Sequence, residues 1–309
     1  MLKTLEAQLR FYPGVHINLF RTDDNLLVET VAFTGEQYHK NLISLTNQIG
    51  CPVKCDFCKV AEMGYLRNIT PEEYLGQVQS VMDNEGALPW FDPQREVKVC
   101  FTRAGEALLN RHTFDGLVQI AEKYQPSFQF TSVLPKVPLA YTLLEQMKAY
   151  LQPYENTFQI NISMHTSDEE KRRVMMGAYP GLMDFKEMAE WGREWYAAVG
   201  KRKINLSFVL MDDNEVDLRK IRELFHPAYF AVRFAMYLPS TPQTARLHPA
   251  SPLSVMALKA REAQALGYEC IESVAKDIEK VWDTRPHSGF TMYREKMNLK
   301  GQSLKYPVS

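Results

Sequence analysis

The stretch 158–167, "FQINISMHTS", alternates between apolar and polar side chains. Phe158, Ile160, Ile162 and Met164 point one way, and Gln159, Asn161, Ser163 and His165 point the other, as successive residues of a strand must. A strand buried in a parallel sheet is expected to be apolar on both faces. The polar row therefore faces either solvent, at a sheet edge, or an interior that needs hydrogen bonds. Ile204–Met211 repeats the pattern more weakly, with Asn205 and Ser207 on its polar side. Two such strands favour a barrel with a wet, functional interior.

Working outward, further strand-like runs lie at Leu42–Gln48, Val97–Thr102, Phe128–Leu134, Ala231–Leu238 and Tyr268–Ser273. Segments of helical period separate them. "TPEE" at 70–73 supplies an N-cap threonine, a proline at the first helical position and Glu73 for a capping box. Tyr74, Val78, Val81 and Met82 then share one helical face. Pro138–Leu151, Leu182–Val199, Glu215–Phe225 and Pro252–Leu266 also read as helices. Strand–helix alternation over about 230 residues indicates an α/β fold of parallel βα units, closed or partly closed into a barrel.

Bulk properties narrow the class. The 309 residues are 45% hydrophobic and 24% charged, with a net charge of −1 and a pI near 6.7. No global basic field favours bulk nucleic acid, so any such binding must use a local patch: Lys171–Arg173, Lys201–Lys203 or Arg294–Lys305. Each of these alone reads as ordinary solvated surface. No apolar run approaches a membrane span and the N-terminus lacks an apolar signal core. Five cysteines, an odd number, favour reduced thiols in a cytoplasmic protein over a disulfide framework.

Three of those cysteines, Cys51, Cys55 and Cys58, lie in "GCPVKCDFC". Structural zinc wants four ligands, usually as two separated pairs, and no second pair is nearby. A [4Fe–4S] cluster normally takes four cysteines, so three would leave one iron open to an outside ligand. The spacing favours iron–sulfur and leaves zinc as the alternative.

The motif CxxxCxxC, with Phe57 before its last cysteine and a strand before it, resembles the radical S-adenosylmethionine (SAM) signature. The resemblance implies a [4Fe–4S] cluster held by Cys51, Cys55 and Cys58. SAM would chelate the fourth iron and yield a 5′-deoxyadenosyl radical that abstracts hydrogen from substrate. "NQIGCPVKCDFC", "MGYLRNIT", "GEALLN" (105–110), "SMHTSDEEKRRVMM" and "FVLMDDNEVD" are, in that order, similar to segments of the RlmN/Cfr-like family, which methylates an adenine in ribosomal RNA. The family relationship implies a partial (β/α)6-type radical SAM barrel over 41–275. A short β-containing extension (1–40) would precede it, and a C-terminal tail (276–309) would close the active site. It further implies SAM contacts at Phe57, Gly105, Glu106, Ser132, Ser163 and His165, and an electron donor such as flavodoxin or ferredoxin.

The chain departs from that family where methyl transfer is concerned. The methyl-carrying cysteine falls at Trp282 in "DIEKVW", and the resolving cysteine falls at Ser44. Neither an indole nor a hydroxyl replaces a thiol in that chemistry. Cys100 and Cys270 read as core residues of strands, with an inward-facing Cys270 as the alternative. An asparagine that meets SAM in the family is Leu238 here, before Pro239. The first fifty residues are too short for the family's extra N-terminal RNA-handling domain. The reading is therefore a radical SAM enzyme carrying out a rearrangement, isomerisation or oxidation without methyl transfer, on a nucleobase in nucleic acid. A free small molecule or peptide substrate, and a non-catalytic zinc-binding protein, stand as alternatives.

Overall fold

The computed structural model describes residues 2–11, 14–35, 38–83, 91–153, 158–200, 202–239 and 242–275, with backbone alone at 3–11 and 242. These residues form two compact units. One comprises residues up to Pro52 together with Lys59–Phe128; the other comprises Val53–Cys58 and residues from Gln129 onward.

The first unit begins with an antiparallel meander. Strands β1 (Leu2–Phe11), β2 (Val15–Thr22) and β3 (Leu27–Phe33) pair in sequence, and β3 pairs antiparallel with β4 (Asn41–Leu45). The sense then changes, and β4 runs parallel to the strand at Val97–Phe101. The sequence leads one to expect a single strand over Leu42–Gln48. Instead the ladder stops at Leu45, because Gln77 satisfies the backbone of Thr46 at both ends: its Nε2 donates to the carbonyl (3.1 Å) and its Oε1 accepts from the amide (2.8 Å). Gln48–Gly50 (β5) and Tyr65–Asn68 (β6) form a separate hairpin. The strand at 97–101 is thus β7.

Helix α1 (Pro71–Met82) has the expected capping box of Thr70 with Glu73, and Tyr74, Val78 and Val81 are fully buried. Helix α2 (Thr113–Tyr124) packs on it, Gly116 giving room for the Tyr74 ring. The sequence reading missed α2. Its N-cap, His112, makes no side-chain capping bond, so the usual start signal is missing.

The second unit carries β8 (Ser127–Ser132, whose first two residues belong to the first unit), β9 (Phe158–Ser163), β10 (Ile204–Leu210), β11 (Phe230–Met236) and β12 (Cys270–Ser273), in that spatial order. The last four are parallel. Helices α3 (Pro138–Leu151), α4 (Glu169–Met175), α5 (Phe185–Val199), α6 (Leu218–Leu224), α7 (Pro242–Leu247) and α8 (Leu253–Ala265) connect them. Helix α5 starts at Phe185 rather than Leu182 because Asp184 makes a capping box with Glu187. Phe130, Phe158 and Trp195 stack against one another on the helix-facing side of these strands.

Candidate functional site

The opposite face of the second unit's strands is the polar one. Asn161 donates to Thr131 (3.2 Å) and Asn205 to Asn161 (2.8 Å), while Arg233 reaches Ser207 (3.2 Å) and Ser273 (2.8 Å). Ser163, Ser207 and Arg233 stand level on three adjacent parallel strands. Asn161 and Asn205 are only 2% and 5% exposed, so a solvent-facing edge does not account for the alternation. Cys270 is in register with the core residue Val232, which turns it to the helix side. Burial pushes its thiol up to about 11.

At the C-terminal end of β9 the chain turns sharply. His165 has a φ of +62° and its Nδ1 accepts from the Val209 amide (3.2 Å). That bond fixes Nδ1 as an acceptor. The imidazole meets the Phe57 ring edge-on at 4.8 Å. Phe57, between Cys55 and Cys58, is buried among Met175, Met211 and Tyr237, and both cysteines pack against this cluster. The loop is held by backbone bonds as well. The Asp56 amide donates to Met175 O (3.0 Å), the Cys58 amide to Cys55 O (3.1 Å), and Tyr237 Oη to Phe57 O (3.3 Å). Gly177, at φ +65°, lies so close that a Cβ would fall 2.4 Å from Val53 O.

Ser132 and Ser163, expected as SAM contacts, are brought into one frame by Arg172. This side chain is 1% exposed and donates to the carbonyls of Ser163 (3.0 Å) and Val133 (2.7 Å). Lys171–Arg173 is therefore not a solvated basic patch at its centre: Arg172 is an internal brace between two strand ends. Lys203 pairs with Glu269 at 2.7 Å, while Lys201 and Arg294–Lys305 lie outside the described residues. The Ser132 hydroxyl accepts from the Leu134 amide (2.9 Å).

In the first unit, Gly105 and Glu106 follow β7. Gly105 has a φ of +91°, and a Cβ there would sit 2.5 Å from the Gln48 amide nitrogen. The Glu106 amide donates to Gln48 Oε1 (2.9 Å), and its carboxylate caps the short turn 107–109 through the Leu108 amide (3.1 Å). Asn110 closes the motif, its Nδ2 donating to the carbonyls of Asn47 (2.8 Å) and Ile69 (2.9 Å). The "GEALLN" segment thus clasps the chain on either side of β5 and β6. Gly105→Ala adds a strained φ and an unavoidable backbone clash, and is expected to cost about 2 kcal/mol or more, read as a lowered urea midpoint. Ser44 is buried in β4, level with Cys100 on β7. The Thr102 hydroxyl donates to it at 3.4 Å.

No family model matches the chain. A Flavobacterium psychrophilum protein described as an RlmN dual-specificity RNA methyltransferase is 24% identical over 279 residues, 89% of this chain and 77% of that one. An RlmN dual-specificity RNA methyltransferase of Desulfotalea psychrophila is 26% identical over 65% of this chain and 55% of its own length. The chain is a radical SAM relative of the RlmN/Cfr-like enzymes. A crystal structure of a radical SAM methyltransferase from Sphaerobacter thermophilus superposes with a TM-score of 0.72 at 17% identity, covering 92% of this chain and 80% of that one. This likeness shows the fold: α/β, with the parallel βα units of a partial barrel.

With this relationship come a [4Fe–4S] cluster and SAM as cofactors, and the donor set fits. Cys51, Cys55 and Cys58 form no disulfide, and each is partly accessible. A four-iron cluster takes one cysteine thiolate per iron, the donor type that these three residues supply. The sequence reading missed the brace Arg172, the clasp formed by Gln48 and Asn110, and His248. His248 is 6% exposed and lies against Asp56 of the cysteine loop (3.1 Å) and Asp213 (2.9 Å). Its pKa is raised, first by Asp56 and less strongly by Asp213, with burial opposing. Trp282 and the rest of the tail fall outside the described residues.

Proposed function

We propose that this radical SAM enzyme modifies a nucleobase in nucleic acid without passing a methyl group through a protein thiol. Cys51, Cys55 and Cys58 would hold the cluster, whose reduction of bound SAM supplies a 5′-deoxyadenosyl radical. Phe57, Gly105, Glu106, Ser132, Ser163 and His165 would line the SAM site, within a barrel spanning 41–275 between short extensions. Glu106 suits a cationic amine, because one carboxylate oxygen already caps the 107–109 turn and is held in place. His165, with Nδ1 occupied, would present Nε2–H as a donor. The polar row through Thr131, Asn161 and Asn205 suits a substrate rich in donors and acceptors. A flavodoxin- or ferredoxin-type partner would supply electrons.

The observation that carries the non-methylating reading is the placement of the thiols. Position 44 holds a buried hydroxyl, and Cys270 faces the helices as a protonated thiol. The nucleic-acid half of the reading is supported by relatives described as RNA methyltransferases. Reconstituted protein, SAM, dithionite and RNA or DNA oligonucleotides are expected to yield 5′-deoxyadenosine without S-adenosylhomocysteine. Methyl transfer from SAM to a thiol must release S-adenosylhomocysteine, so its formation in step with turnover would overturn the reading. If only free nucleotides or peptides stimulate 5′-deoxyadenosine release, the nucleic-acid half falls. Turnover on the true polymer should weaken steeply with salt.

A further inference from the structure

His248 follows α7, in a segment tied to β10: the Asp212 amide donates to Pro249 O (2.8 Å), and Met211 bridges Ala250. Its ring stands edge-on to Phe57 at 6.4 Å, and Phe57 also meets the His165 ring edge-on. Nδ1 lies 2.9 Å from Asp213 Oδ2, and Nε2 lies 3.1 Å from Asp56 Oδ1. The second contact is close in distance but poorly aligned for N–H donation. Asp56 sits between two of the cysteines, so an acidic group is built into the loop beside the thiols. The imidazole bridges this carboxylate to that of Asp213, on the turn after β10, which holds the ring from the other side.

We propose that His248 is a positioning residue for the cysteine loop, clamping Asp56 to Asp213 so that Cys55 and Cys58 are held ready for the iron–sulfur cluster. The inference rests on the cluster-ligation reading above. Lys54 of this loop is held at φ +60°, and backbone bonds and the Phe57 side chain tie the loop alongside the clamp. Groups that orient metal ligands from behind typically change metal retention by about 10–100-fold.

The test uses full-length protein reconstituted anaerobically with iron and sulfide, and compares His248→Gln, His248→Ala and Asp213→Asn with wild type. Iron per chain, the rate of iron loss to a chelator, and the electron paramagnetic resonance spectrum of the reduced cluster are measured. Thermal melts of the iron-free proteins control for folding. His248→Gln and Asp213→Asn are expected to melt near wild type without iron, yet to lose iron about 10–100-fold faster and to give a shifted spectrum. If the two carboxylates and the imidazole act as one unit, His248→Ala/Asp213→Asn should lose iron no faster than His248→Ala alone. Wild-type retention and an unchanged spectrum in all three single variants would overturn the clamp while leaving the ligation reading intact. If wild type itself takes up no iron, the ligation reading falls and the clamp with it.

Discussion

Cys55→Ala protein is expected to purify folded but colourless, with iron well below the roughly four per chain of a filled cluster, and to release no 5′-deoxyadenosine above background. Cys55 and Cys58 are partly accessible and pack against the Phe57 cluster as partly buried residues. Truncation there removes little buried area, so the loss is chemical and not a failure to fold. Cys51→Ala and Cys58→Ala should behave alike, since a cluster gripped by two thiolates lacks a third of its protein bonds. Cys100→Ala and Cys270→Ala serve as contrasts. One is a buried strand residue, the other a protonated thiol on the helix side, and both variants should keep full iron. Wild-type iron content in any of the three loop variants would sink the assignment of the ligands.

The second large effect concerns stability. Arg103 and Glu29 form an ion pair in which the side chains are only 1% and 2% exposed. Arg103 directly precedes the Ala104 carbonyl that receives the Asn47 and Gln48 amides (2.7 and 3.0 Å), and hence the Gly105–Glu106 turn. Glu29→Gln removes one charge and leaves the other buried, a change that typically costs about 3–5 kcal/mol. The expected result is a fall in urea midpoint with an unchanged slope. Glu29→Met/Arg103→Met should recover most of that loss, because no charge then remains to be desolvated. If Glu29→Gln costs under about 1 kcal/mol, water reaches the pair and it is not a buried one.

The comparison of sequence with structure separates by range. Local signals were legible. The period-two strand at 158–163, the Thr70 capping box and the three-cysteine loop each occupy a few consecutive residues, and each appears where the spacing places it. Boundaries failed where a distant group or an overlooked cap intervened. Gln77 ended the expected strand after Leu45, and the Asp184 capping box moved the start of α5. Helix α2 carries no capping side chain, so only its apolar face, with Leu117 and Ile120, marked it.

By itself the chain determined the alternation of strands and helices, the polar row on β9 and β10, and the close spacing of Cys51, Cys55 and Cys58. These follow from side-chain periodicity and covalent spacing. Only the tertiary structure decided that the polar row is buried instead of exposed, that Arg172 is a brace and not a surface cation, and that Cys270 faces the helices. It alone set His248 between Asp56 and Asp213. Such facts depend on which strands become neighbours and in what register, and contacts between residues far apart in the chain leave no period in the sequence to betray them.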